Sequence, residues 1–184
     1  MSKLTDYIKV YPMLSKSICN KAIKELDDTE FEKGQYHNPK GDRTFSIDKE
    51  ADMSFEEFPS KQIIMDKLYN VIGKYIKQLR MPWYAGWNGY TPIRVNKYSK
   101  GQNFNMHCDH IHNIFDGHAK GIPILSIVGV LNDNYNGGEF VMWKDKTIKL
   151  KQGDVVMFPS NFMYAHKVNS IKKGTRYSFV SWVW

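Results

Sequence analysis

Two cysteines in 184 residues, Cys19 and Cys108, are too few for a disulfide framework. The expected setting is a reducing one, the cytoplasm. No apolar run approaches the roughly 18 residues of a membrane span. The opening MSKLTDYIKV also lacks the apolar stretch of a secretory leader, so no membrane association is expected. Internal repeats, low-complexity runs and long linkers are absent too. At this length the expectation is one domain over residues 1–184 with a real buried core.

What is present suits a folded, β-rich chain. Hydrophobic residues make up 42% and aromatics 14%, above what a disordered chain carries. The net charge of +7 is unevenly placed: residues 1–85 balance to +1 and residues 86–184 to +6. A basic half fits an acidic partner, nucleic acid or a solvated surface, and the charge alone does not choose among them.

The first half reads as helix, loop, helix. Ile18, Ala22, Ile23 and Leu26 recur at helical spacing, as do Ile64, Leu68, Val71, Ile72, Tyr75 and Leu79, with Ser60 placed to cap the second helix. Between them, FEKGQYHNPKGDRTFSIDKEADMSFEEFPS shows no clear period, and a loop of that length in a compact domain is usually functional or disordered. From Trp87 onward short β-branched or aromatic segments alternate with turns: TPIRVNKYS, IPILSIVGVLN, GEFVMW, TIKL, GDVVMFP and TRYSFVSWVW. The expected fold is α+β, with a jelly-roll core over residues 86–184 and residues 1–85 supplying helical support and a variable loop.

The chemistry concentrates in NMHCDHIHN, which holds half of the six histidines. On a strand, residues two apart face the same way with Cα atoms roughly 6–7 Å apart. His107 and Asp109 thus share a side, while Cys108 faces the other. Such a pair needs a third ligand, and His166, after the apolar segment GDVVMFPS, is the strongest candidate. Two histidines and a carboxylate form the facial arrangement of non-haem Fe(II), with three positions open. His110, His112 and His118 fall in the loop HIHNIFDGHAKG and read as rim residues. Ten residues past His166, Arg176 and Ser178 share a strand face, where a planar guanidinium beside a hydroxyl suits a carboxylate.

In this order the residues resemble the Fe(II)/2-oxoglutarate-dependent dioxygenases, in particular the prolyl 4-hydroxylase-like branch with its bacterial PKHD-type hydroxylases. The resemblance covers roughly residues 90–184 and rests on RVNKYSKGQNFNMHCD, VGVLNDNYNGGEFVM and KLKQGDVVMFPSNFMYAHKVNSIKKGTRYSFVSWVW. It implies a double-stranded β-helix (jelly-roll) fold, with Fe(II) held by His107, Asp109 and His166. It implies Arg176 on the distal carboxylate of 2-oxoglutarate, with Ser178 as helper and Tyr98 where a tyrosine hydroxyl reaches that carboxylate. Phe104 and Val130 stand where some prolyl hydroxylases carry tyrosines. The implied reaction hydroxylates an unactivated C–H bond and releases succinate and carbon dioxide, with ascorbate as reductant.

For substrate, a peptidyl proline is the first expectation, which makes a protein or peptide the expected partner, with a small-molecule substrate as the alternative and nucleic acid disfavoured. The loop 31–58, with Tyr36, His37, Arg43 and Phe45, lies where related hydroxylases have substrate-covering segments. Deleting residues 38–50 is therefore expected to spare 2-oxoglutarate binding and abolish hydroxylation. Trp182, on the same strand face as Arg176, could wall the site but reads first as core. One rival is a non-catalytic or zinc-dependent metal-binding jelly roll using the same three ligands, which gives Arg176 and Ser178 no task. Another is a nucleic-acid-directed oxygenase, whose closing segment carries a second arginine where this chain has Trp182.

Overall fold

The structure, a computed structural model, describes residues 3–38, 43–81, 84, 86–109 and 123–184. The first half contains strands β1 (Lys9–Pro12), β2 (Glu32–Lys33), β3 (Gln35–Asn38), β4 (Arg43–Ser46) and β5 (Asp52–Ser54), with helices α1 (Lys16–Glu25) and α2 (Lys61–Leu79). The second half runs β6 (Arg94–Tyr98), β7 (Phe104–His107), β8 (Leu125–Val130), β9 (Asn136–Gly137) and β10 (Phe140–Met142). It continues β11 (Lys146–Ile148), β12 (Asp154–Pro159), β13 (His166–Val168), β14 (Ile171–Lys173) and β15 (Arg176–Val183).

A seven-stranded sheet has the order β1-β12-β8-β15-β6-β5-β2, and a four-stranded sheet the order β11-β10-β13-β7. Every pairing within them is antiparallel. The two sheets enclose one apolar cluster, and the helices cover the other face of the large sheet with a second. This is the double-stranded β-helix with helical support, an α+β fold.

Strand alternation assigns each side chain to one of these cores. Along β15, Phe179 and Val183 enter the helix-side cluster, while Val180 and Trp182 join the cluster between the sheets. Along β6, Val95 faces the helices and Tyr98 faces the site. β8 is buried at every position because both its faces are covered, which is why LSIVGV reads as a continuous apolar run.

Helix α1 starts at Ser15, whose hydroxyl accepts the Ile18 N–H at 3.3 Å, and buries Cys19 and Ala22. In α2, Ile64, Leu68, Ile72 and Tyr75 are fully buried, a face contributing about 1.5–3 kcal/mol per side chain. Ser60 departs from expectation. Its hydroxyl caps nothing and is buried without a partner, whereas its N–H donates to the Glu25 carboxylate at 2.7 Å. The start of α2 is thus tied to the end of α1 by an acid rather than by its own cap.

The segment between the helices also differs from the expected loop. β2 and β5 extend the large sheet, β3 and β4 form a separate ribbon, and β1 adds the opposite edge. The first half therefore contributes three strands to the large sheet as well as the helices. Among the described residues no helix is long and apolar enough to cross a membrane.

Candidate metal centre

β7 and β13 are neighbours in the small sheet, and their register sets His107 opposite His166. Their rings lie 4.3 Å apart between centroids. β7 ends at His107, so Asp109 lies beyond the strand rather than on it. It still turns to the same side: Oδ1 is 3.3 Å from His107 Nε2 and Oδ2 is 3.9 Å from His166 Nε2. One donor atom from each of the three residues lies within 4.8 Å of the others.

Both rings are oriented by the same local device. His107 Nδ1 is 2.8 Å from the carbonyl of Asn105, and His166 Nδ1 is 3.1 Å from that of Tyr164. A carbonyl only accepts, so each Nδ1 carries a proton and each Nε2 is the nitrogen turned toward Asp109. Aromatic rings fix the imidazoles from behind, Phe104 against His107 and Phe140 and Phe158 against His166. Asp109 is anchored from the large sheet: Ser126 donates to its Oδ2 at 2.5 Å, and the Ser126 hydroxyl lies 2.9 Å from that of Ser160. Ser126 is the one polar side chain in the apolar run of β8, a signal the sequence did carry.

The charge states suit metal binding. Burial pushes the His166 pKa down to about 4, with His107 adding to the drop and Asp109 opposing it. Burial also works against ionisation of Asp109, but hydrogen bonds from His107 and Ser126 and the charges of both histidines hold its carboxyl well below the usual range. For His107, burial lowers the pKa, yet Asp109, the Asn105 carbonyl and the Glu50 charge outweigh it and leave it raised. The result is an anionic carboxylate and a neutral His166 facing one point, the donor set that Fe(II) or Zn(II) accepts.

Arg176, at the start of β15, is 1% exposed. Its guanidinium lies over the Tyr98 ring at 4.9 Å, Nη1 donates to Ser178 at 2.7 Å, and Nε has no acceptor. Tyr98, its cross-strand partner, is also buried. No carboxylate of the described residues forms an ion pair with Arg176. A buried cation with no counter-anion is costly, and it marks a place for an anionic ligand. Arg176 lines a cavity of about 250 Å³ with Val130, Gly138 and Leu150. The metal triad lines a smaller one of about 30 Å³, and Phe140 borders both.

The Gly-Gly pair helps here: a Cβ on Gly138, whose φ is +67°, would come within 2.4 Å of Ile171 and 3.2 Å of the Arg176 stem. Val130 and Phe104 bring no hydroxyl, one lining the arginine cavity and the other stacking on His107. Trp182 packs against the core between the sheets, as expected, and also lines the triad's cavity beneath the Arg94 guanidinium. Arg94 and Asn96, on the same face of β6, were not singled out in the sequence. His110, His112 and His118 lie outside the described residues, as do the side chains of Tyr36, His37, Arg43 and Phe45.

The model of the 2OG-Fe(II) oxygenase superfamily matches residues 93–184, half of the chain, and takes in every one of these strands from β7 to β15. The chain belongs to that superfamily. Fe(II) and 2-oxoglutarate are the groups the family name specifies, and the donor set and the unpaired arginine fit them. Among curated relatives, this oxygenase is similar to a PKHD-type hydroxylase of Idiomarina loihiensis, 31% identical over 94 residues, which are 50% of this chain and 41% of that protein. A PKHD-type hydroxylase of Acinetobacter baumannii is 35% identical over 98 residues, 50% and 42% of the two chains. The match thus spans about two-fifths of these relatives. Among solved structures, the viral collagen prolyl hydroxylase of Paramecium bursaria Chlorella virus-1 superposes with TM-score 0.69 at 16% identity, over 96% of this chain and 94% of the other. A prolyl hydroxylase of Trichoplax adhaerens, in complex with a peptide fragment of hypoxia inducible factor, gives 0.70 at 17%, over 98% and 84%. These likenesses establish the fold.

Proposed function

We propose that this oxygenase is a 2-oxoglutarate-dependent hydroxylase acting on a peptidyl proline or related residue of a protein or peptide, as one domain over residues 1–184. The observation that carries the reading is the convergence of His107, Asp109 and His166 beside a buried arginine that lacks an anion. In this reading the three residues hold Fe(II). Arg176 takes the distal carboxylate of 2-oxoglutarate with Ser178, and Tyr98 supports the guanidinium with its ring. Fe(II), when bound, supplies the redox chemistry that couples conversion of 2-oxoglutarate to succinate and carbon dioxide with hydroxylation of a C–H bond.

The protein's own part is positional. The Asn105 and Tyr164 carbonyls orient both imidazoles, Ser126 holds Asp109, Phe140 and Phe158 enclose the His166 ring, and Phe104 lies against His107. A peptide substrate draws support from the peptide complex of the Trichoplax neighbour. The β3–β4 ribbon, which pairs with neither main sheet, supports a substrate-covering role for that segment. A zinc-dependent or non-catalytic alternative leaves the Arg176 cation unexplained.

The test is succinate formation by the purified protein with Fe(II), ascorbate and 2-oxoglutarate under air, adding proline-containing peptides in turn. Turnover is expected in the native protein, with a loss of at least 100-fold in His107→Ala and in Arg176→Ala. Absent turnover together with absent 2-oxoglutarate binding to the Fe(II)-loaded protein would reject the reading.

A further inference from the structure

The segment between the helices reaches the metal centre from behind. Glu50 is 3% exposed, and a carboxylate that deep must be hydrogen-bonded to be tolerated. Its Oε1 accepts from Asn105 twice, from Nδ2 at 3.0 Å and from the backbone N–H at 3.3 Å. Holding the N–H and the side chain of Asn105 fixes where the Asn105 carbonyl points, and that carbonyl receives His107 Nδ1. The backbone is fastened alongside: the Asn103 N–H donates to Lys49 O at 2.8 Å, Glu50 and Asn103 form a parallel bridge, and Gln102 Nε2 donates to Asp52 at 3.2 Å. Ala51, between these ties, is fully buried.

The two histidines therefore differ in what steadies them. The carbonyl that orients His166 belongs to Tyr164, inside the β12–β13 connection. The carbonyl that orients His107 depends on an acid from an outer segment some fifty residues earlier in the chain.

We infer that Glu50 is a positioning residue for the metal centre: through Asn105 it holds His107 with Nε2 aimed at the metal and so couples residues 47–54 to metal occupancy. The inference rests on the reading of His107 as a ligand. Coupling of this kind is reciprocal, so a metal on His107 tightens the segment just as the segment tightens the metal. It also changes the meaning of the deletion of residues 38–50, which removes Glu50 and therefore damages the metal centre along with any cover. A deletion of residues 36–45, leaving Glu50 in place, separates the two.

The test compares anaerobic Fe(II) affinity by calorimetry in the native protein, Glu50→Ala, Glu50→Gln, Asn105→Ala, His107→Ala and Tyr75→Phe. Glu50→Ala is expected to weaken binding about 10-fold or more, the usual effect of losing a residue that orients a ligand. Glu50→Gln keeps an oxygen at the accepting position and should stay within about threefold, because the hold on Asn105 needs an acceptor there rather than a charge. Asn105 is exposed, so its substitution spares the fold, and loss of the Nδ2 donor should cost severalfold. Tyr75→Phe removes the hydrogen bond to Tyr7 in the helix-side cluster, across the large sheet from the triad, and should lower the melting temperature without moving Fe(II) affinity. In metal-free protein, ¹⁵N spectra should show His107 protonated on Nδ1, and a mixed tautomer in Glu50→Ala. Amide exchange over residues 49–54 should slow with Fe(II) in the native protein and not in Glu50→Ala. Native-like affinity in Glu50→Ala, or an equal loss in Tyr75→Phe, overturns the inference while leaving the ligand reading intact. Undiminished binding by His107→Ala overturns the ligand reading itself.

Discussion

Arg176 sits in costly surroundings: a permanent cation, 1% exposed, resting on an aromatic face with Nε unpaired. Removing an uncompensated buried charge is commonly neutral or stabilising, whereas a ligand that supplies the missing anion recovers the cost through linkage. Arg176→Met should therefore raise the ligand-free unfolding free energy by about 1–3 kcal/mol while losing the stabilisation that 2-oxoglutarate gives the native protein. Urea melts with and without 2-oxoglutarate check both halves. A ligand-free protein weakened by this change would make the arginine a structural element rather than a waiting receptor.

Among the elements, β8 is a six-residue strand buried at every position. At Gly129 an added Cβ would lie 1.9 Å from the Phe179 ring, which is itself fully buried under the helices. Gly129→Ala should cost about 1–3 kcal/mol or more through overpacking, and Phe179→Leu in the same chain should recover part of it, because contacting sites are not additive. Thermal denaturation of the two single variants and the double variant measures the coupling.

The six segments from TPIRVNKYS to TRYSFVSWVW were legible as strands because β-branched and aromatic runs lie between turn residues. The strands of the first half were not, since two or three residues, as in β2 and β5, are too short to show a period. His107, Asp109, His166 and Arg176 could be picked out by residue type and order. Their supports were harder to read: Ser126 shows only as a lone polar residue in an apolar run, and nothing in local spacing ties Glu50 to Asn105. Trp182 both packs on the core and walls the cavity, and which face of β15 it takes is set by the register with β6 and β8, which the sequence alone does not give. Ser60 had the right residue type for a cap, but its backbone is already helical, leaving its hydroxyl no N–H to accept.

For the molecule as a whole, the site should set how metal-free protein responds to acid. An unfolded histidine titrates near 6.5, whereas folded His166 titrates near 4, so between these pH values the unfolded chain binds more protons and stability falls as pH falls. His107, with its folded pKa raised, is protonated in both states below about 6.5 and adds little slope there. Asp109, with its pKa depressed, adds a further loss only below the normal carboxylate range. The expected fall from pH 7 to 4 is on the order of 2–3 kcal/mol, read from urea midpoints. It should flatten in His166→Asn, and a flat profile in the native protein would contradict a neutral, enclosed His166.

His107 and His166 belong to the small sheet, while Asp109 is fastened to the large one through Ser126. A metal ion seated there is a rivet through the sandwich. Drawing it out would leave the two leaves joined at that edge by side-chain packing and by the Ser126 hydrogen bond. On the proposed reading of the site, loss of iron would be felt as a parting of the leaves, well beyond the three ligand positions.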